Sequence, residues 1–313
     1  MTQSAISHEP VLYEEAIRLL WVRAGGTYAD CTLGLAGHAA GIARLLGAEG
    51  HLIAFDRDEQ ALALAKENLD RVCKELGSQA PRVTFINEVF SSITRYVKPA
   101  SLDGLLADFG VSSMQFDDAG RGFSFHADSV PDMRMDTRSG LTAAQVVNEA
   151  NERELADLIY KYGEERRSRR IAGAIVRGRP VTSASNLARI VTSAASLTNK
   201  SHIHPATKTF QALRIYVNQE LDEIQALMEA APSLLKSSAR LVVICFHSLE
   251  DRIAKDSLRD GARQGIWKIL TKKPVTAGDE ELDRNPRSRS AKLRAAERLE
   301  VRTKGGNHGG MHK

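Results

Sequence analysis

The sequence predicts a doubly wound α/β domain interrupted by an all-helical insertion. Three observations predict it. Between positions 26 and 108, short apolar runs alternate with stretches of helical period. The runs are apolar on both faces, as strands of a parallel sheet covered by helices on both sides must be. From 115 to 203 the alternation stops and no strand pattern recurs. A structureless loop of that length does not belong inside a compact domain, so a separate helical unit is expected. Residues 240–247 then return to a continuous apolar run suited to a buried strand.

In chain order, 28–32 reads as a strand that enters a glycine-containing turn at 33–37, and 38–46 reads as a helix. Further strands are expected at 51–56, 82–87 and 102–108, with a helix over 59–76. Residues 115–138, rich in Asp, Arg, Gly and Phe, follow neither period, and 141–195 reads as helices. Phe210, Leu213, Val217, Leu221, Ile224 and Met228 are spaced by 3, 4, 4, 3 and 4, which predicts one continuous amphipathic helix. Residues 267–270 and 299–302 read as the last strands, with an Arg-rich stretch from 284 to 298 between them. The expected organisation is a first sheet segment over 1–114 and an insertion with its leading loop over 115–203. A second sheet segment over 204–304 and a flexible tail over 305–313 complete it.

Composition narrows the class. With 42% hydrophobic and 26% charged residues in 313, the chain is long enough and apolar enough to bury a large core, which excludes a disordered or fibrous protein. The apolar run at 241–246 falls far short of the ~18 residues a bilayer span needs, and the N-terminus shows no basic segment followed by an apolar one. No membrane association or secretion is expected. Cys31, Cys73 and Cys245 are odd in number and far apart, so neither a disulfide framework nor a zinc site is expected, no metal is assigned, and the compartment reads as the cytoplasm. The net charge of +4 conceals a split. Residues 1–150 carry 13 Lys/Arg against 20 Asp/Glu, whereas 151–313 carry 30 against 19, making the second half a candidate polyanion-binding surface.

Four features fall at strand ends, where open parallel sheets bind ligands. DCTLGLAGH at 30–38 is a strand running through a glycine turn into a helix. Asp56 ends the next strand, 22 residues after Gly34, where a carboxylate can accept hydrogen bonds from both ribose hydroxyls of a nucleoside cofactor. Asp108 ends the strand at 102–108, and Phe90 follows the third strand, where its ring can lie near an adenine. The turn lacks the close glycine triplet of pyrophosphate-binding loops and carries an acid before it. A cofactor without phosphate, S-adenosylmethionine, fits better.

Longer motifs resemble one family. HEPVLYE at 8–14, the segment 30–38, AFDRDEQAL at 54–62 and the region 103–136 with RGFSF and DMRMD are its matching stretches in the first half. YGEE at 162–165, HPATKTFQALRI at 204–215, FHSLEDR at 246–252, LTKKP at 270–274 and NPRSRSAKLR at 285–294 follow in order. Together they resemble the bacterial small-subunit ribosomal RNA methyltransferase H family, also called MraW, over almost the whole chain. The resemblance implies a Rossmann-like class I methyltransferase domain interrupted by a helical one. It also implies S-adenosylmethionine-dependent methylation of the exocyclic N(4) amine of a cytidine in the decoding centre of 16S ribosomal RNA in the 30S subunit. By the same resemblance Ala36, Gly37, His38, Asp56, Phe90, Asp108 and Gln115 line the cofactor site. The family commonly has Gly-Gly-His where this chain has Ala36, Gly37 and His38, an exchange that suits a negative φ at Ala36. Residues 128–131 depart from the family pattern too, which allows a changed bend before Met133.

The cytosine amine is a weak nucleophile because its lone pair is delocalised into the ring. A catalyst must hold it in line with the sulfonium methyl and aim acceptors at its protons. Asp108 is the catalytic candidate for that acceptor, and its alternative role is to hold the cofactor. His247 precedes Ser248 and Asp251, which fit a helix capping pair, and is expected near the target base. Arg287, Arg289, Lys292 and Arg294 belong to a dense basic segment opened by NPRSRS, whose guanidiniums can track phosphates. The target nucleotide must leave its stack to present its amine.

Overall fold

The structure is a computed structural model that describes residues 9–138, 140–195 and 204–300. Its centre is one seven-stranded sheet, formed by β1 (Thr27–Asp30), β2 (His51–Phe55), β3 (Arg82–Ile86), β4 (Leu102–Asp108), β5 (Leu235–Cys245), β6 (Trp267–Ile269) and β7 (Lys292–Arg298). The strand order is β3-β2-β1-β4-β5-β7-β6. The first five strands are parallel, and β7 runs antiparallel to both β5 and β6. The predicted α/β class holds, and the first four strands lie where the apolar runs placed them. Order reverses between β1 and β4, which opens the crevice that such sheets use for ligands.

Strand alternation sorts the apolar side chains into two cores, one on each sheet face. Ala29, Phe55, Leu105, Val243 and Ala296 join one of them, together with Ile224, Leu227 and Met228. Tyr28, Leu52, Leu106, Val242 and Leu293 join the other, with Ile42, Leu46 and Leu69 from the helices Gly37–Leu46 and Glu59–Leu76. None of the helices among the described residues is long and apolar enough to cross a membrane.

A third core belongs to the helices Ala143–Glu149, Glu152–Gly163, Ser168–Arg177 and Ala184–Ala194. Asn151 and Thr142 start the second and first of these with reciprocal capping boxes, a device worth about 1 kcal/mol at a helix start. The single long helix expected over 210–228 is instead two, Thr207–Asn218 and Glu220–Leu234, broken at Gln219 in the left-handed region with φ 52. Phe210 and Leu213 pack in the helical core, whereas Ile224 and Met228 pack on the sheet. One stripe of constant period therefore serves two cores. We propose Gln219, rather than position 203, as the point where the chain returns from the helical unit to the sheet.

One strand expectation needs correction. The last strand is β7, inside the Arg-rich stretch, not 299–302, of which 301 and 302 lie outside the described residues. The tail 305–313 lies outside them as well.

Candidate active site

The carboxyl ends of β1, β2 and β4 carry Asp30, Asp56 and Asp108; the sequence singled out Asp56 and Asp108 from two apolar runs ending in Asp, and Asp30 only as the acid before the glycine turn. Gly34 takes φ +53 in the turn after β1 and donates its N–H to Asp56 Oδ2 at 2.8 Å. The Asp58 N–H donates to Asp56 Oδ1 at 2.9 Å. These bonds fix the carboxylate while leaving each oxygen a further lone pair. The Asp108 N–H donates to Thr32 Oγ1 at 2.6 Å, and Asp108 Oδ2 lies 3.9 Å from His38 Nδ1. Asp108 Oδ1 is buried without a hydrogen-bond partner.

Burial sets the charge state of this trio. It pushes the Asp30 carboxyl up to about 7, against the Thr32 N–H that lowers it, with the Asp56 charge adding to the rise. Burial likewise raises Asp56 to about 6. Asp108 is driven well above the ordinary carboxylate range by burial and then by Asp30 and Glu250. Three carboxyls with a raised proton affinity, where burial outweighs the Arg57 charge that lowers Asp56, suit a cationic ligand.

Asp56 and Asp108, though not the buried Asp30, line a cavity of about 370 Å³. Gly37, His38, Asp56, Phe90, Asp108 and Gln115 all line it, and Arg287 stands at its wall. Ala36 does not. It is a buried core residue with φ 69, in the left-handed region that the expected negative φ excluded. Met133, after the departing segment, is also left-handed, with φ 61. Gln115 is engaged at both ends of its amide. Its Nε2 donates to Asp58 Oδ2 at 2.8 Å, and its Oε1 accepts from the Ser112 N–H in a capping box, so it shapes the wall more than it reads a ligand. Asp58 also pairs with the buried Arg121 at 2.9 Å, tying the sheet domain to the leading loop of the insertion.

A second cavity, of about 240 Å³, adjoins the first and was not legible in the sequence. Phe123, Phe125, Met133 and Phe210 give it an apolar lining, with Thr207, Gln211, His247 and Ser290 among its polar groups. Four residues line both cavities: Val111, Phe116, Arg214 and Phe246.

Beneath that shared wall lies a charge network. Arg214 donates from Nε and Nη2 to the two oxygens of Glu220, both at 2.8 Å, and reaches within 4.0 Å of Glu250. Glu250 is fully buried and accepts from the Phe246 and His247 N–H groups through Oε2. Burial alone would raise its carboxyl, but His247, Arg214 and the Phe246 N–H outweigh it and hold the group below its ordinary value.

The helix Ser248–Arg263 is capped by His247, not by the expected Ser248 and Asp251 pair. His247 Nδ1 accepts from the Glu250 N–H at 3.3 Å, and Nε2 lies 3.1 Å from Glu250 Oε1. His247 lines the second cavity with Nε2 near Glu250 but without a hydrogen-bond partner among the described residues. Glu220, His247 and Glu250 are the trio among the described residues whose ligand atoms come within 4.8 Å of one another. The guanidinium of Arg214 already supplies their counter-charge.

The basic segment divides. Arg287 and Arg289 are exposed on the short turn Pro286–Ser290, and Arg287 pairs with Asp117 at 2.6 Å. Arg294 is buried and donates from Nε to Asp251 at 2.7 Å, and Lys292 approaches the same carboxylate at 3.4 Å. Arg294 is therefore removed from the expected phosphate-tracking set, because β7 turns it inward onto the helix Ser248–Arg263.

A reversed seventh strand beside five parallel ones, with acidic strand ends around a ligand-sized cavity, defines a Rossmann-like class I methyltransferase. The chain belongs to the MraW methylase family, whose model matches residues 5–299. It is 66% identical over 291 residues to a protein of Acidobacterium capsulatum named ribosomal RNA small subunit methyltransferase H, covering 93% of this chain and 98% of that one. Proteins of the same name from Koribacter versatilis and Sorangium cellulosum are 58% and 49% identical, covering 93% of this chain in each case and 94% and 91% of theirs.

Proposed function

We propose that this protein uses S-adenosylmethionine to methylate the N(4) exocyclic amine of a cytidine in the decoding centre of 16S ribosomal RNA, acting on the 30S subunit in the cytoplasm. The observation that carries the reading is the pair of adjoining cavities. The larger has the acidic strand ends of a cofactor site, the smaller has an aromatic lining fit for an extruded base, and Asp108 lies at the larger one's edge with a free acceptor. The family relatives named for the small-subunit RNA support the substrate class.

S-adenosylmethionine, when bound, supplies an electrophilic methyl on a sulfonium. Asp56 is suited to accept from the ribose hydroxyls, and Phe90, 6.0 Å from Phe109 between ring centres, is suited to lie against the adenine. Phe123, Phe125 and Phe246 exclude water and hold the flat face of the base. Asp108 Oδ1 accepts from an amine proton, which directs the nitrogen lone pair out of conjugation and toward the methyl. The proton leaves to solvent after transfer. Arg287 and Arg289, exposed beside the cavity mouth, are suited to phosphates of the flanking strand.

The test is isotopic methyl transfer from S-adenosylmethionine to bare ribosomal RNA, 30S subunits, DNA and protein, with nucleoside digestion of the products. The expected label is N(4)-methylcytidine from the 30S subunit. Label confined to DNA or protein, or transfer to none of the four, refutes the proposal.

A further inference from the structure

HPATKTFQALRI at 204–215 was singled out by the sequence, yet no function so far absorbs its last charged residue. Among the described residues Arg214 is the one polar side chain that lines both cavities, the other shared walls being Val111, Phe116 and Phe246. Its fork is fixed, because Nε and Nη2 both donate to Glu220. Nη1 is left without a protein hydrogen bond among the described residues, on a side chain 16% exposed. A guanidinium so held presents its remaining donors in one direction.

We propose that Arg214 Nη1 reads the acceptor edge, N3 and O2, of the pyrimidine in the second cavity, making it a specificity-determining residue; the assignment rests on the methylation reading above. Charge selects a neutral acceptor over an anion. Glu220 and Glu250 flank the guanidinium with two negative charges against its one, so a phosphate or the cofactor carboxylate would enter a site of net negative charge walled by apolar side chains. Cytosine instead offers N3 beside its amine. Donation to N3 turns the amine toward the boundary with the cofactor cavity. A uracil turned the same way presents an N–H to a cation, leaving both donors unpaired.

The test pairs enzyme and substrate changes. Wild type, Arg214→Gln and Arg214→Lys are assayed at saturating S-adenosylmethionine on 30S subunits reconstituted with cytidine or 3-deazacytidine at the target. Arg214→Lys keeps the positive charge that Glu220 and Glu250 need, so it remains informative where Arg214→Gln does not fold. On cytidine both variants are expected to lower kcat/KM on the order of 10- to 100-fold, the range for a hydrogen bond from a charged donor. On 3-deazacytidine the ratio of variant to wild type is expected to return close to one. Taking that ratio on each RNA separately cancels the altered amine basicity of the analogue.

Equal losses on both RNAs, or no loss on cytidine, overturn the assignment, as does a fall in S-adenosylmethionine affinity that accounts for the whole effect. A wild-type enzyme inert on cytidine overturns the methylation reading itself. An active wild type without the coupling overturns only the role of Arg214.

Discussion

Binding of S-adenosylmethionine is expected to release protons below neutral pH, and Asp30 sets the amount. With the Asp30 carboxyl at about 7 and Asp56 at about 6, the empty site at pH 6.5 holds Asp30 about three quarters protonated and Asp56 about one quarter. A sulfonium at the strand ends favours the ionised forms. Binding at pH 6.5 therefore expels up to about one proton from this pair, and about a tenth of that at pH 8. The sign follows from the direction of the shifts. A carboxyl raised on folding binds its proton more tightly in the folded chain, so stability of the cofactor-free protein falls as pH rises from about 4 to about 7. For Asp30 alone that loss is on the order of 4 kcal/mol. Isothermal titration in two buffers of unlike ionisation enthalpy measures the release. Asp30→Asn is expected to remove about three quarters of it at pH 6.5 and to stabilise the free protein above pH 7. Equal buffer dependence in wild type and Asp30→Asn would falsify this account of the strand ends.

Three further expectations concern single sites. Asp108→Asn keeps an acceptor oxygen but removes the charge, so single-turnover methylation at saturating cofactor is expected to fall on the order of 10²-fold with cofactor affinity largely kept; a collapse of affinity with an unchanged rate would make Asp108 a cofactor ligand. Ala36→Gly relieves a left-handed alanine with φ 69 and is expected to raise stability by about 1 kcal/mol in chemical denaturation, whereas an unchanged or lower midpoint refutes the strain. Arg287→Ala with Arg289→Ala is expected to lower RNA affinity and to flatten its salt dependence by roughly 0.7 to 0.9 in log-log slope per lost phosphate contact. Arg294→Ala should instead cost about 1 to 3 kcal/mol of stability by leaving Asp251 to Lys292 alone, with the slope unmoved.

The fold and the cofactor half of the site were legible because each depends on a local pattern. An apolar run ending in Asp announces both a buried strand and the group it carries to the sheet edge, which is why Asp56 and Asp108 were found together with β2 and β4. The misreadings arise where one local pattern satisfies two structures. The stripe through Phe210 and Met228 keeps helical period across Gln219, and no Gly or Pro marks the break, so nothing local tells that its two halves face different cores. Ser248 with Asp251 and His247 with Glu250 are both cap-like pairs one residue apart. The choice falls to the second because Glu250 is buried against Arg214. Along β7 the charges at Lys292, Arg294 and Arg298 concealed a period of two, in which Leu293 and Ala295 face one core while Arg294 turns toward Asp251. The second cavity is assembled from residues between 111 and 290, so only the tertiary fold could display it.

The two charge clusters around the site have opposite characters, and the difference bears on turnover. Glu220 and Glu250 are held within the protein by the Arg214 guanidinium and by the Phe246 and His247 N–H groups, so that cluster is rigid. Asp30, Asp56 and Asp108 lie in no such guanidinium fork among the described residues: His38 stands 3.9 Å from Asp108 and the Arg57 charge lowers Asp56, yet burial still strains the ionised form of all three. A sulfonium relieves that strain on binding. A neutral thioether, the product of methyl transfer, would relieve nothing, so Asp30 and Asp56 would favour the cofactor that still carries its methyl. The cost of ionising Asp30 and Asp56 in a buried setting is thus expected to favour substrate cofactor over product. That preference requires the acids to have no fixed guanidinium of their own, and Arg214, on the wall of the same cavity, is engaged with Glu220 instead.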